Sequence, residues 1–269
     1  MTNNKMNTFY QDAIRSRRGD ATNIREPRIR GSQRNVLFAD TPDGARVFKF
    51  SSPELVVKDE KISNQYKMAG IPVPNITSHQ YRGLSFEEYP IIPGRTLYEA
   101  IGDGIGADDI RRIYRQILDN FAKMARVRAG SLPHENINLA HYVARENVST
   151  ANNRTLGNVI WMLVYLMNLG ADKNIGLFHF DITPKNVIIS DDGHLAGFID
   201  IETVGICNKN FAFGMMAAKY QQLGFDINEL VDYYENITGD KLNRTRIATI
   251  SNLSNAGKAF LWKNAQRKR

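Results

Sequence analysis

His179-Phe180-Asp181-Ile182-Thr183-Pro184-Lys185-Asn186 decides how this chain is read, together with Ile199-Asp200-Ile201-Glu202 a little further on. Between the two lie Val187 to Ile189, an Asp191-Asp192-Gly193 turn, and Leu195 to Ile199, which is the pattern of a short β-hairpin. Asn186 opens the first strand and Asp200 ends the second. Antiparallel strands of matched length bring those ends within roughly 5 Å of backbone separation. An amide oxygen and a carboxylate therefore converge at one end of the hairpin, and Asp181 arrives from the loop before it. Two hard oxygen ligands suit Mg²⁺, which keeps waters and completes its shell with substrate phosphates. A carboxylate beside that ion can accept a proton from an attacking hydroxyl. Taken singly, these residues read as turn formers and a surface acid. The combined H-x-D-x-x-x-x-N spacing and strand-ending Asp are the specific signal.

Upstream, residues 5–18 suit a short polar helix. Val36 to Phe38 and Val47 to Phe50 flank Thr41-Pro42-Asp43-Gly44 and read as a hairpin with a four-residue loop. Residues 54–69 look helical, stopped by Gly70 and the Pro72-Val73-Pro74 segment. A second strand pair falls at 76–80 and 84–89, and Pro90 to Gly94 interrupts regular structure. Beyond it Ile110, Ile113, Tyr114, Ile117, Leu118, Phe121 and Met124 recur at helical spacing with one apolar face. Residues 155–169 read as a second helix, apolar nearly all round, and 211–265 as helical again. Strands before about residue 90 and helices after it predict a two-lobed α+β protein: a small lobe over 1–90 with an N-terminal helical extension, and a larger helical lobe over 91–269.

The 269 residues are 42% hydrophobic and 23% charged, which excludes wholesale disorder and allows a real core. The longest apolar run, Val159 to Met167, is far short of the roughly 20 residues that span a bilayer. The N-terminal segment lacks an apolar signal region, and the single Cys207 excludes an intrachain disulfide, so a reducing cytoplasm is expected. Cys207 itself reads as a packed thiol. His79, His134, His141 and His194 lie in no metal-ligand spacing.

With these residues in view, the sequence resembles the protein-kinase-like superfamily, and within it the aminoglycoside phosphotransferase and choline kinase-like branch. That branch is similar in a catalytic loop reading His-Gly-Asp-x-x-Pro-x-Asn and a metal motif Ile-Asp-Phe/Trp-Glu; here stand His179, Asp181, Pro184, Asn186 and Ile199-Asp200-Ile201-Glu202. Thr183 and Glu202 differ from the Lys and Gly of protein kinases, and no Ala-Pro-Glu follows, which disfavours a protein substrate. Ala69 to Pro74 and Ile92 to Leu97 also resemble segments of the branch. Phe180 replaces its usual Gly, and the aspartate often found about ten residues after the metal-binding Asp is absent.

The resemblance implies a bilobal kinase-like fold and transfer of a γ-phosphate from ATP or GTP to a hydroxyl of a small molecule. Asp181 would be the base, with Mg²⁺ on Asn186 and Asp200. Gly31 and Ser32, in Arg30 to Val36, would cover the phosphates. Lys49 would meet the α- and β-phosphates, held by Glu60, with Asp59 as the alternative register. Glu88 and Tyr89 would form the hinge facing the base, and Lys185 stands near the γ-phosphate or in solvent. His179 would brace the loop. A nucleotide-binding module without turnover, a kinase acting on a protein or lipid headgroup, and a nucleic-acid binder suggested by charge alone remain as alternatives.

The formal charge of +7 lies at one end. Residues 241–269 hold eight bases and no acid, so the first 240 residues carry 27 bases against 28 acids. From Gln221 to Asp240 there are five acids and no base. Nucleic acid is therefore not the expected partner, and a cationic acceptor is compatible with this body. Asp226 and Glu229 match a capping box opening a helix whose Ile227, Leu230, Val231 and Tyr234 share a face. Its Glu229, Asp232 and Glu235 read either as a solvated acidic face or as an acidic wall for that acceptor.

Overall fold

The computed structural model describes residues 3–26, 35–128, 175–252 and 254–255. The expected helix over 155–169, the loop residues Gly31 and Ser32, His134, His141 and most of the basic tail lie outside these residues. The chain divides into two compact units, Met1–Met68 with Pro72–Pro93, and Ala69–Ile71 with Gly94–Arg269.

The smaller unit is a five-stranded antiparallel sheet with a helix on each face. Its elements are α1 (Asn3–Arg17), β1 (Thr22–Arg25), β2 (Asn35–Thr41), β3 (Gly44–Ser51), α2 (Pro53–Met68), β4 (Thr77–Tyr81) and β5 (Leu84–Pro90), with strand order β1-β2-β3-β5-β4. The β2–β3 register runs from Asn35 opposite Phe50 to Thr41 opposite Gly44, so the connection is two residues and not four. Gly44, at φ +104°, turns where a side chain would be strained. Alternation along the strands sorts the faces. Leu37, Ala39, Phe48, Phe50 and Phe86 pack with Ala13 and Ile14 of α1. Lys49, Glu87 and Ser78 lie on the other face, toward α2, which packs along β4 and β5. Ser63 of α2 donates to the Pro74 carbonyl at 2.6 Å and accepts from Ile76 N–H, tying the helix to the approach of β4.

On the α1 face Glu88 is a buried anchor. His79 Nε2 is 3.1 Å away, Arg17 3.3 Å and Arg18 2.8 Å. Burial alone would raise its pKa, but hydrogen bonds from His79 and Arg18 and the Arg18 charge outweigh it and hold it at about 2. A carboxyl depressed on folding stabilises above its unfolded value of about 4.5, and that contribution fades as pH falls toward 2. Relative to Glu88→Gln, wild type should be more stable at pH 7 by on the order of 3 kcal/mol. In denaturant titrations the gap should close below pH 4.5; a gap that ignores pH would refute this anchor.

The larger unit opens with β6 (Arg95–Thr96) and α3 (Leu97–Gly102), continues with α4 (Ala107–Met124), and resumes at β7 (Ile175–His179), β8 (Val187–Ile189), β9 (Leu195–Phe198), a 3₁₀ turn (Ile201–Thr203), β10 (Val204–Asn208), α5 (Lys209–Gln222) and α6 (Ile227–Thr238), with helix again from 244. The expected apolar face of α4 is buried in full, each side chain contributing about 1.5–3 kcal/mol on leaving water. Three strands depart from the sequence reading of one hairpin in this half: β6, which joins β8, and β7 and β10. β7 pairs antiparallel with β10, Val204 opposite His179. Cys207 lies buried on β10, where burial pushes its thiol pKa up, consistent with a packed group.

Gly94 shows why this segment is built as it is. Its φ is +124°, and a Cβ there would stand 2.1 Å from the Ile189 carbonyl oxygen, so β6 can pair with β8 only with glycine at this position.

Candidate active site

The site in the larger unit begins with packing. Phe178 of β7 lies 4.6 Å from Phe121 of α4, which meets Phe213 and Tyr234 edge-on at 5.6 and 5.8 Å. This aromatic cluster fixes β7, and with it His179 and the loop that follows. The β8–β9 hairpin is pinned from α4: Leu195 N–H donates to Gln116 Oε1 at 2.7 Å, and Gln116 Nε2 stands 2.8 Å from His194 Nδ1.

At the other end of that hairpin the chemistry converges. Ile199 N–H donates to the Asn186 carbonyl at 3.0 Å, so the residue before Asp200 is hydrogen-bonded to Asn186. Asn186 Nδ2 donates to the Asp181 carboxylate at 2.9 Å and to its carbonyl at 3.0 Å. The amide nitrogen thus orients Asp181, while Asn186 Oδ1 is the atom left with acceptor chemistry. Thr183 N–H donates to Asp181 O, and Asn186 N–H to Thr183 O, which makes the loop a tight double turn. Its Pro184 carbonyl accepts from Tyr98 N–H at 2.9 Å, one of the orphan donors in the first turn of α3. That helix start is itself fixed by a capping box between Thr96 and Glu99. Lys185 Nζ lies 5.1 Å from the centre of the Tyr98 ring.

His179 binds the loops together. Its Nδ1 accepts from Asp181 N–H at 3.2 Å, so the ring proton sits on Nε2, 3.0 Å from the Ile199 carbonyl it donates to. Thr203 Oγ1 stands 3.0 Å from the same Nδ1. One buried imidazole therefore spans the loop of Asp181 and both flanks of Asp200. Asp200 has φ +61° and ψ +47°, a left-handed conformation uncommon outside glycine. Such strain persists where the surroundings over-determine it, and it gathers at functional positions.

No group of three or more His, Cys, Asp or Glu able to hold a metal occurs among the described residues. Asn186 Oδ1 and the Asp200 carboxylate would form a two-oxygen donor set. That set fits Mg²⁺ bound with substrate phosphates and waters, and does not fit an all-protein metal cage.

In the smaller unit Lys49 is buried on β3, and Tyr89 faces the same way across from Val47. Glu60 is engaged on β4, where its carboxylate accepts from Ser78 Oγ at 2.5 Å. Asp59 is buried on α2 in the row of Val56, Ile62, Ser63 and Tyr66. The Glu88 carboxylate lies on the opposite face, committed to α1. Sequence reasoning passed over Glu87, buried and directly opposite Lys49, and over Thr203 and Tyr98. The two-residue turn Arg82-Gly83 sets the β4–β5 register and places Glu87 opposite Ser78; its place opposite Lys49 comes from the long-range β3–β5 pairing.

The acidic stretch is neutralised and does not form an open wall. Glu229 pairs with Arg111 at 3.2 Å, and Asp232 with Arg244 at 2.8 Å. Leu242 N–H, Lys241 and Arg244 hold buried Glu235 down at about 2. Asp226 caps α6 through Asn228 N–H, while Glu229 turns to Arg111 and Tyr220, so the expected box is only half formed.

The sequence profile of the phosphotransferase enzyme family (APH) matches residues 24–224. No curated protein matches the chain. Among solved structures, aminoglycoside-3'-phosphotransferase of type VIII is similar at TM-score 0.65 and 14% identity, covering 91% of this chain and 98% of that one. Choline kinase LicA from Streptococcus pneumoniae is similar at 0.62 and 15%, covering 98% and 92%. The GDP and kanamycin complex of APH(2")-IIIa is similar at 0.63 and 15%, covering 97% and 93%. No described helix is long and apolar enough to cross a membrane. The profile spans most of the chain, and a sheet-rich first unit and a helical second one agree with the solved structures: the chain belongs to the phosphotransferase enzyme family and has its protein-kinase-like fold.

Proposed function

We propose that this chain transfers the γ-phosphoryl group of a nucleoside triphosphate to a hydroxyl of a small-molecule acceptor. The observation that carries the reading is the Asn186 amide, which donates to the Asp181 carboxylate while its backbone carbonyl receives Ile199 N–H next to Asp200. Phosphoryl transfer needs positioning and charge neutralisation more than covalent chemistry; these three side chains would supply the positioning, and a cation held by two of them, with Lys49, the neutralisation. Asp181 would accept the acceptor's hydroxyl proton at its carboxylate. Asn186 Oδ1 and Asp200 would hold Mg²⁺, which when bound neutralises phosphate oxygens. Lys49 would meet the α- and β-phosphates, and the Tyr89 segment the base. Gly31 and Ser32 would cover the phosphates. Lys185, beside Tyr98, would face the γ-phosphate. Mg²⁺ as the ion and a cytoplasmic setting are parts of this reading.

The solved relatives, one holding GDP and kanamycin and one a choline kinase, support a nucleotide with a small hydroxylated acceptor. The ion pairs of Glu229, Asp232 and Glu235 take those acids out of an acidic wall, while kanamycin and choline are cationic, so acceptor classes are best tried evenly. Release of the nucleoside diphosphate should be followed with ATP and with GTP over aminoglycosides, choline and ethanolamine, sugars, amino alcohols and nucleosides. The expected result is Mg²⁺-dependent release at least about tenfold above background with one class. Tight nucleotide binding with no acceptor-stimulated release would favour the regulatory module instead.

A further inference from the structure

Lys49 is 7% exposed, so its ammonium group cannot be left to water and needs an anion close by. Glu60 is poorly placed for that duty. Its Oε2 accepts from Ser78 Oγ at 2.5 Å, and Ser78 is on β4, two strands away from the β3 of Lys49. The strand between them is β5. Its residue in the same row is Glu87, opposite Lys49 on one side and opposite Ser78 on the other. Directly opposed residues of antiparallel strands share a face, with Cβ atoms about 5 Å apart. Glu87 is 2% exposed. A buried carboxylate beside a buried ammonium is tolerable because each neutralises the other, and removing one partner strands the other.

We propose that Glu87, rather than Glu60, is the carboxylate that orients Lys49. Glu87 is thus a positioning residue for the phosphate-contacting lysine, and the inference rests on the phosphotransferase reading given above. The arrangement has a mechanical consequence. Lys49 and Glu87 sit on neighbouring strands of one sheet, so their geometry is set by strand pairing and does not depend on where α2 lies. Glu60 has a different task, tethering α2 to the sheet through Ser78. Asp59, buried on the same helix, is the competing acid that any test must include.

The test is the equilibrium affinity of the full chain for Mg·ATP and Mg·GTP, measured by calorimetry for Glu87→Gln, Glu87→Asp, Glu60→Gln, Asp59→Asn, Lys49→Met and the Lys49→Met/Glu87→Gln double variant. Glu87→Gln should weaken binding about tenfold, Glu87→Asp should recover part of it, and Glu60→Gln and Asp59→Asn should each change it less than about twofold. In the Lys49→Met background, Glu87→Gln should add less than about twofold, since both changes remove one interaction. Near-UV circular dichroism checks the fold, and if Glu87→Gln does not fold, Glu87→Asp decides by weakening affinity. The proposal is overturned if Glu60→Gln or Asp59→Asn carries the loss, or if the Lys49 and Glu87 losses simply multiply. A wild-type chain that binds neither nucleotide would instead sink the phosphotransferase reading, and this proposal with it.

Discussion

Asp181→Asn should lower kcat by on the order of 10³-fold or more while nucleotide affinity stays within about threefold of wild type. Asparagine has the shape of aspartate and keeps an oxygen for the Asn186 Nδ2 donor, which lies 2.9 Å from the Asp181 carboxylate. Thr183 N–H bonds the Asp181 main-chain carbonyl, and His179 receives the Asp181 main-chain N–H, so neither depends on the side chain. The loop should therefore keep its form and lose only the group that takes the proton. Steady-state kinetics on the accepting class, with calorimetric nucleotide titration, separates these effects. A variant that keeps near-normal kcat would remove Asp181 from the base role.

Asp200→Asn should be nearly as severe, with on the order of 10²–10³-fold loss of kcat and a marked rise in the Mg²⁺ needed for half-maximal rate. The choice of asparagine matters here. Asp200 sits at φ +61°, which Asn tolerates and most residues do not, so strain is held nearly constant while the charge is removed. Alanine at the same position would mix strain with loss of a ligand. Titrating Mg²⁺ and then Mn²⁺ is the check. An unchanged metal requirement would exclude Asp200 as a ligand.

Much of this was legible in the sequence for physical reasons. The α4 face follows from a 3.6-residue period, and every side chain assigned to it is buried. The β8–β9 hairpin and the meeting of Asn186 with the segment of Asp200 follow from strand pairing alone, and the Ile199 to Asn186 hydrogen bond realises it. The strand Val204–Asn208 was not legible. It is five residues long, buried almost throughout and without alternation, and Asn208 at once becomes the cap of α5. Its pairing with β7 is a long-range event that local pattern does not encode. In the first unit strand alternation decides which side chains share a face. Glu88 was read by proximity to the hinge, but period-2 alternation puts its side chain on the α1 face, with the guanidinium groups of Arg17 and Arg18. One residue earlier, Glu87 faces Lys49. The acids after Gln221 misled as a charge run because their partners Arg111, Lys241 and Arg244 lie outside the run.

The most direct test of the central claim is the product itself. Phosphorus NMR of a reaction holding the full chain, Mg²⁺, nucleoside triphosphate and the acceptor class that stimulates nucleoside diphosphate release should show one new phosphomonoester resonance, coupled to protons of the acceptor's carbon framework, growing in step with nucleoside diphosphate. Release of inorganic phosphate alone, or no conversion with any acceptor class, would contradict the account.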